Sequence, residues 1–186
     1  RHTAVLPIGG QNLTKDLAIG LLTSETGAVR IKVQHGIART DLISGHQTVE
    51  VPSVGDRPPR MFSRRDIAEI LEPRVEEMFD LVKREIVRAG YEGMLGAGVV
   101  ITGGTSLLEG MPDAAEKGLN LPARRGAPTG MGGLRDIVSN PMHATGVGLL
   151  LHARQHAQDF ETAGLRHGRG LGKVLDRMRS WMFEFF

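Results

Sequence analysis

Residues 98–106 read GVVITGGTS. A β-branched run that stops at two glycines and passes into hydroxyl-bearing residues is one way to build a nucleotide pocket. Gly103 and Gly104 let the backbone approach a ligand closely, and their N–H groups can point at phosphate oxygens or crowd a purine. Thr105 and Ser106 add hydroxyls where the next helix starts. The motif is neither GxGxxG nor GxxxxGK[ST], and a plain strand-to-helix turn explains it equally well. His152 and His156 stand four apart on one helix and could share a metal. No third ligand is at hand except Asp159, so a solvated face is the simpler reading and no metal site is expected. No Ser-His-Asp, Cys-His or paired-carboxylate arrangement stands out, and no catalytic residue is assigned. Glu72, Glu76, Glu77 and Asp80 read as an exposed acidic helix side.

A second chemistry lies at the end of the chain, in residues 171–186, LGKVLDRMRSWMFEFF. Leu171, Val174, Leu175, Met178, Trp181, Met182, Phe185 and Phe186 recur at helical spacing and fall within an arc of roughly 140°. Lys173 and Arg177 lie on the other side, and Arg179 sits at the edge, where a long cation can snorkel. Such a helix is about 24 Å long, and a bilayer-spanning helix needs about 20 mostly apolar residues. The expected placement is therefore flat in the headgroup plane, with the aromatic face among acyl chains and the three cations toward anionic lipid. A terminal helix packed on its own domain, or docked in a partner's groove, is the competing reading.

Charge distribution supports the membrane surface. From Arg166 onward five Lys or Arg face two acids, so the tail is +3 and the rest of this +2 chain is −1. A basic pI confined to a tail argues against a nucleic-acid partner, which calls for a basic stripe on the body. The 186 residues, 40% hydrophobic and 24% charged, suit one globular domain or one with a sizeable insert. Without cysteine there is no disulfide framework and no thiolate metal site. No signal peptide is visible, and a start at Arg1 within strand-like sequence suggests a piece of something longer.

Residues 3–8 suggest a strand. Asn12 can cap a helix whose buried side is Leu13, Leu17, Ala18 and Leu21. Gly27 marks a turn, and residues 29–33 alternate as a strand does, although a short helix fits too. Residues 40–54 look like hairpin material, with Gly45 at the turn and residues 55–60 as a stiff proline loop. Ser63 with Asp66 opens a helix; Pro73 interrupts it and starts a second that runs to Gly90. Residues 98–102 form a buried strand, residues 124–128 pass from strand to loop, and Asn140-Pro141 starts a last helix to about Gln155. Residues 157–170 lack periodicity and read as a linker.

The run GVVITGGTSLLEG (98–110) resembles the adenosine-proximal motif of actin-like ATPases. The order Arg57-Pro58-Pro59-Arg60, Ile70-Leu71-Glu72-Pro73-Arg74, linker and terminal amphipathic helix narrows the resemblance to the FtsA family of bacterial cell-division proteins. RHTAVLPIGGQNLTKDLA (1–18) and IKVQHG (31–36) match that family's pattern as well, so the likeness covers the whole chain.

The resemblance implies an α/β chain: half of an actin-like (ribonuclease H-like) fold with an inserted α+β subdomain and a C-terminal amphipathic helix. Residues 1–22 and 93–156 would form subdomain 2A and residues 23–92 the insert, 2B, followed by the linker 157–170 and the membrane-targeting helix 171–186. It implies ATP with Mg2+ as cofactor of the full-length protein, with at most weak ATPase activity. The half present here lacks most phosphate-binding loops and is expected to be inactive alone. Gly9, Gly10 and Asn12 would lie near the phosphates, Arg30 and Lys32 near the adenosine, and Gly103, Gly104, Thr105 and Ser106 beneath the adenine. The implied partners are the C-terminal tail of FtsZ, further copies in an actin-like protofilament, other divisome proteins and an anionic membrane surface. Arg74 and Glu77, aided by Lys83, would meet the FtsZ tail, since an arginine pairs bidentately with a carboxylate; Arg60 matches a position linked to self-association. The implied role is an adaptor that tethers FtsZ filaments to the cytoplasmic face of the inner membrane at the division site. A pilus-assembly actin-like ATPase, or half of a sugar-kinase or chaperone-type ATPase, is the alternative.

Overall fold

The computed structural model describes residues 2–55, 57–129 and 138–156. The proposed linker and the amphipathic helix 171–186 therefore lie outside the described residues. The chain divides into two compact units, Arg1–Ala144 and Thr145–Phe186.

Helix α1 (Gly10–Gly20) starts where Asn12 folds back, its Oδ1 accepting from the Gly9 N–H at 3.0 Å. Leu13, Thr14 and Leu17 fall on one face and are buried. Residues 3–8 are not a strand, contrary to expectation: a strand needs a hydrogen-bonded neighbour, and none pairs with them among the described residues. Helix α2 (Glu25–His35) follows at once, with the Ser24 hydroxyl accepting from the Gly27 N–H at 3.1 Å. Gly27 is thus not a turn but a buried residue in the first turn of α2, and residues 29–33 are helical. Alternation of apolar and basic residues misleads here because Ala28 and Ile31, one turn apart, carry the buried face.

The hairpin joins β1 (Thr48–Val51) to β2 (Arg60–Ser63), antiparallel, with Val49 opposite Phe62 and Val51 opposite Arg60. Its second strand lies beyond the proline loop, not before it, while Thr40–Leu42 form a 3-10 turn. Ser63 caps α3 (Arg64–Arg88) reciprocally with Asp66: Asp66 N–H to Ser63 Oγ at 3.1 Å, Ser63 N–H to Asp66 Oδ2 at 2.7 Å. This helix runs unbroken through Pro73, so the expected second helix is a continuation of the first. Ile67, Leu71, Val75 and Phe79 form one buried stripe across the proline. Burying each such side chain contributes roughly 1.5–3 kcal/mol, which together outweighs the ~3 kcal/mol that an internal proline costs.

Strands β3 (Val99–Ile101) and β4 (Ala123–Arg125) pair in parallel, Val99 beside Ala123 and Ile101 beside Arg125; β3 is not the buried strand expected, because Val99 and Ile101 are only half-buried and Val100 is exposed. Between them come a 3-10 turn (Gly104–Leu107) and α4 (Met111–Leu119). A short turn (Pro141–His143) leads to α5 (Ala144–Gln155). One core cluster joins Leu13, Leu17 and Leu21 of the α1 region, Ile31 of α2, Val49 and Val51 of β1, the α3 stripe, and Met111, Ala115 and Leu119 of α4. Among the described residues no helix is long and apolar enough to cross a membrane.

Candidate functional site

Gly103 has φ 88°, a left-handed conformation that a glycine adopts without steric cost, and this lets β3 turn sharply into the 3-10 turn. The turn is braced from both sides. Ser106, buried, donates its hydroxyl to the Gly103 carbonyl at 2.8 Å, and Arg125 of β4 donates from Nε to the Ser106 carbonyl at 2.6 Å. The Gly103 N–H goes to the Pro141 carbonyl at 3.1 Å. Gly104 and Thr105 are left at the open side of the turn.

Facing them is the start of α1. A β-carbon on Gly10 would collide with Thr105 Oγ1, so glycine allows this approach without displacing the Thr105 hydroxyl. Lys32 reaches across from α2, its Nζ donating to the Gly10 carbonyl at 2.8 Å and to Thr14 Oγ1 at 2.6 Å. Partial burial lowers the Lys32 pKa from its ordinary value, because desolvation penalises the ammonium.

The result is a cavity of about 530 Å³. Val29, Val33, Leu107 and Met142 give it apolar walls, Lys32, Gly104 and Thr105 line it from the α1 side, and Arg64 with Glu109 forms an ion pair on its wall. Volume and lining are those of a small-ligand site: mostly apolar, with a few fixed polar groups. Of the residues expected around a nucleotide, Lys32, Gly104 and Thr105 line the cavity, while Gly10 packs against Lys32 and Thr105 without lining it. Gly9 and Asn12 form the cap immediately behind Gly10, and Gly103 and Ser106 shape the turn from beneath. Arg30 is exposed and is not among the lining residues. Sequence reasoning missed Arg64, Glu109 and Met142, which come from three distant segments. Arg64 donates from Nε to the His35 carbonyl at 3.2 Å, tying the start of α3 to the end of α2.

The residues expected at a partner surface are dispersed. Arg74 is engaged by Asp16 of α1 and by Glu77. Lys83 is exposed on α3, and Arg60 at the start of β2 lies over the Phe62 ring, 5.0 Å from its centroid.

A family model described as "Cell division protein FtsA" matches residues 1–148. A curated cell division protein FtsA of Pseudomonas aeruginosa is 43% identical over 98% of this chain and 45% of its own length. Those of Neisseria meningitidis and Escherichia coli K12 are 38% and 36% identical over 100% of this chain and 46% of theirs. The chain therefore spans about half the length of the curated relatives it matches. In fold it is similar to crystal structures of MreB5 of Spiroplasma citri. One, bound to ADP, has a TM-score of 0.63 over 84% of this chain and 47% of that one; the other, bound to AMPPNP, has 0.64 over 85% and 47%. At 13% identity both bear on the fold alone, which is half of an actin-like fold.

Proposed function

Since this chain belongs to the FtsA family of cell-division proteins, we propose that it supplies the adenosine-facing wall of a longer actin-like protein that binds ATP and tethers FtsZ filaments to the membrane. The observation that carries this is the meeting of Lys32, Gly104 and Thr105 at one apolar-walled cavity, with Gly10 packed against Lys32 and Thr105, so that three segments far apart in sequence converge. The residues present fit an adenine nucleotide. Val29, Val33, Leu107 and Met142 suit a purine face, Lys32 offers a cation where ribose and phosphate would leave it, and Gly9, Gly10 and Asn12 start a helix toward the phosphates. When bound, the nucleotide supplies a phosphoanhydride and, on its phosphates, the site for Mg2+. Among the described residues no group of three or more His, Asp or Glu is placed to hold a metal ion. The MreB5 structures, bound to ADP and AMPPNP, support a nucleotide in this fold.

The rest of the reading follows the family. Residues 1–22 and 93–156 form subdomain 2A, and residues 23–92 form 2B, which presents Arg74, Glu77 and Lys83 to the FtsZ tail. Arg60 serves self-association along a protofilament. Residues 171–186 lie on the cytoplasmic face of the inner membrane at the division site, and polymerisation multiplies their modest affinity. Family membership sets aside the pilus-assembly and sugar-kinase alternatives.

The test is binding of a fluorescent ATP analogue to the full-length protein. Gly10→Ala forces a methyl against Thr105 and should weaken binding, while Gly10→Ala with Thr105→Ala, which removes the obstructing hydroxyl, should recover part of it. Equal binding by wild type and Gly10→Ala, with helix content unchanged, would put the nucleotide elsewhere.

A further inference from the structure

The cavity has two ends that α2 sets apart. Lys32 marks one, where its Nζ reaches the Gly10 carbonyl at the start of α1. Three residues on, about 4.5 Å further along the helix axis, the His35 carbonyl accepts from Arg64 Nε at 3.2 Å and marks the other. All three nitrogens of the Arg64 guanidinium donate to protein: Nη1 also reaches Gln47 Oε1 at 3.4 Å, and Nη2 pairs with Glu109 Oε2. The Glu109 backbone is held as well, its carbonyl accepting from the Ala38 N–H at 2.8 Å. Arg64 thus fixes Glu109 Oε2 and leaves Oε1, which has no hydrogen-bond partner among the described residues. An ionised carboxylate oxygen only accepts. The group on offer at this end of the cavity is therefore an acceptor, and what it selects is a donor. Gln34, also on the wall, is exposed, and its amide both donates and accepts, so it selects neither.

We propose that Glu109, positioned by Arg64, reads the 6-amino group of an adenine base and so sets the base preference of the site. The inference rests on the adenine-nucleotide reading of this cavity. With the phosphates toward Gly10, the purine edge farthest from the ribose points to the Arg64 end, because the 6-position lies across the ring system from the sugar-bearing nitrogen. Adenine carries an amino group there, a donor for Oε1. Guanine carries a carbonyl there, and its oxygen meets the carboxylate as acceptor against acceptor. A site built to hydrogen-bond a substrate N–H rejects the analogue that lacks it, since its own polar group is then left unpaired. Arg64 acts through Glu109: its ties to the end of α2 and to Gln47 hold the carboxylate in one place.

The experiment measures equilibrium binding, to the full-length protein, of ATP and of the triphosphate of unsubstituted purine riboside, which lacks only the 6-amino group. In wild type, loss of that group should weaken binding about tenfold, the lower end for a hydrogen bond to a charged group because Glu109 is exposed. In Glu109→Ala the two nucleotides should bind alike. Glu109→Gln retains an acceptor oxygen and should give an intermediate ratio. Arg64→Lys, which keeps the charge but not the three-way tie, should lower the ratio too. A variant that merely loosens the fold weakens both nucleotides equally and leaves the ratio unmoved. A ratio near one in wild type, or a preference that persists undiminished in Glu109→Ala, would overturn the assignment while leaving the nucleotide site in place. Failure of wild type to bind either nucleotide would overturn the site as well.

Discussion

Arg74 holds Asp16 in a two-pronged grip, Nε donating to Oδ2 at 2.6 Å and Nη2 to Oδ1 at 3.1 Å. This pins the middle of α3 to α1, and the two carboxylates, Asp16 first and Glu77 after it, hold the guanidinium more firmly protonated than usual. The residue best matched to a partner contact is therefore also an internal brace, and the two roles can be separated. Arg74→Glu should lower the thermal midpoint of the full-length protein and weaken capture of an FtsZ tail peptide. Adding Asp16→Arg restores the opposite-charge pair and should recover the midpoint without recovering capture. Recovery of both would show that the loss of capture came through the fold.

Lys32 makes stability depend on pH in a definite direction. Burial depresses its folded pKa below the ordinary 10.5, so between those two values the unfolded chain binds more protons than the native one. Stability then rises with pH across that window, and below it the cost of charging Lys32 is present in full. Lys32→Met should remove this slope. The difference in unfolding free energy, wild type minus variant, measured from about pH 8 to about pH 10.5, should increase with pH; a flat or falling difference would contradict the burial argument.

Helix α1 ends with Leu22 at φ 52°, where the Thr23 N–H reaches the Ala18 carbonyl at 3.0 Å and the Leu22 N–H reaches that of Ile19 at 3.3 Å. This closing geometry favours glycine at the position Leu22 holds. A left-handed conformation costs an L-residue with a side chain roughly 1–2 kcal/mol, and Leu22 gains little in return because it is 58% exposed. Leu22→Gly should raise the unfolding free energy by about 1 kcal/mol in urea titrations, and Leu22→Asn by less. Asn120, which takes the same conformation after α4, already follows the rule.

Outside the described residues, the sequence itself makes a prediction. Trp181→Glu replaces the one tryptophan of the expected apolar arc of residues 171–186 with a charge and should release the full-length protein from anionic vesicles in sedimentation, whereas neutral vesicles should hold both proteins weakly. Undiminished pelleting of the variant on anionic vesicles would remove the tail from the tether.

The legible parts of the chain were those where a local signal and a buried face agree. Ser63 and Asp66 announced α3, and the Leu13, Leu17, Leu21 spacing announced α1; the β-branched run before Gly103 announced the strand β3 but not its partial exposure. Where a local signal opposed the tertiary outcome, the reading failed. Gly27 looked like a turn because glycine often is one, yet Ser24 caps it into α2 and its neighbours leave no room for a side chain. Pro73 looked like a boundary because the cost of one missing hydrogen bond is visible in sequence, while the offsetting stripe from Ile67 to Phe79 shows its continuity only in three dimensions. The cavity was half legible. Gly104, Thr105 and Lys32 carried a pattern, but Arg64 and Met142 come from segments that no short window shares with them, and Glu109, inside the 98–110 run, shows its place only through its pairing with Arg64.

The unbroken run of α3 has a mechanical consequence. At about 1.5 Å per residue, its 25 residues make a rod of about 37 Å, rooted along one side in the shared core and offering Arg74, Glu77 and Lys83 on the others. If a filament is held at those side chains as proposed, its pull would load many interlocked contacts at once, in shear, instead of peeling a small appendage away turn by turn.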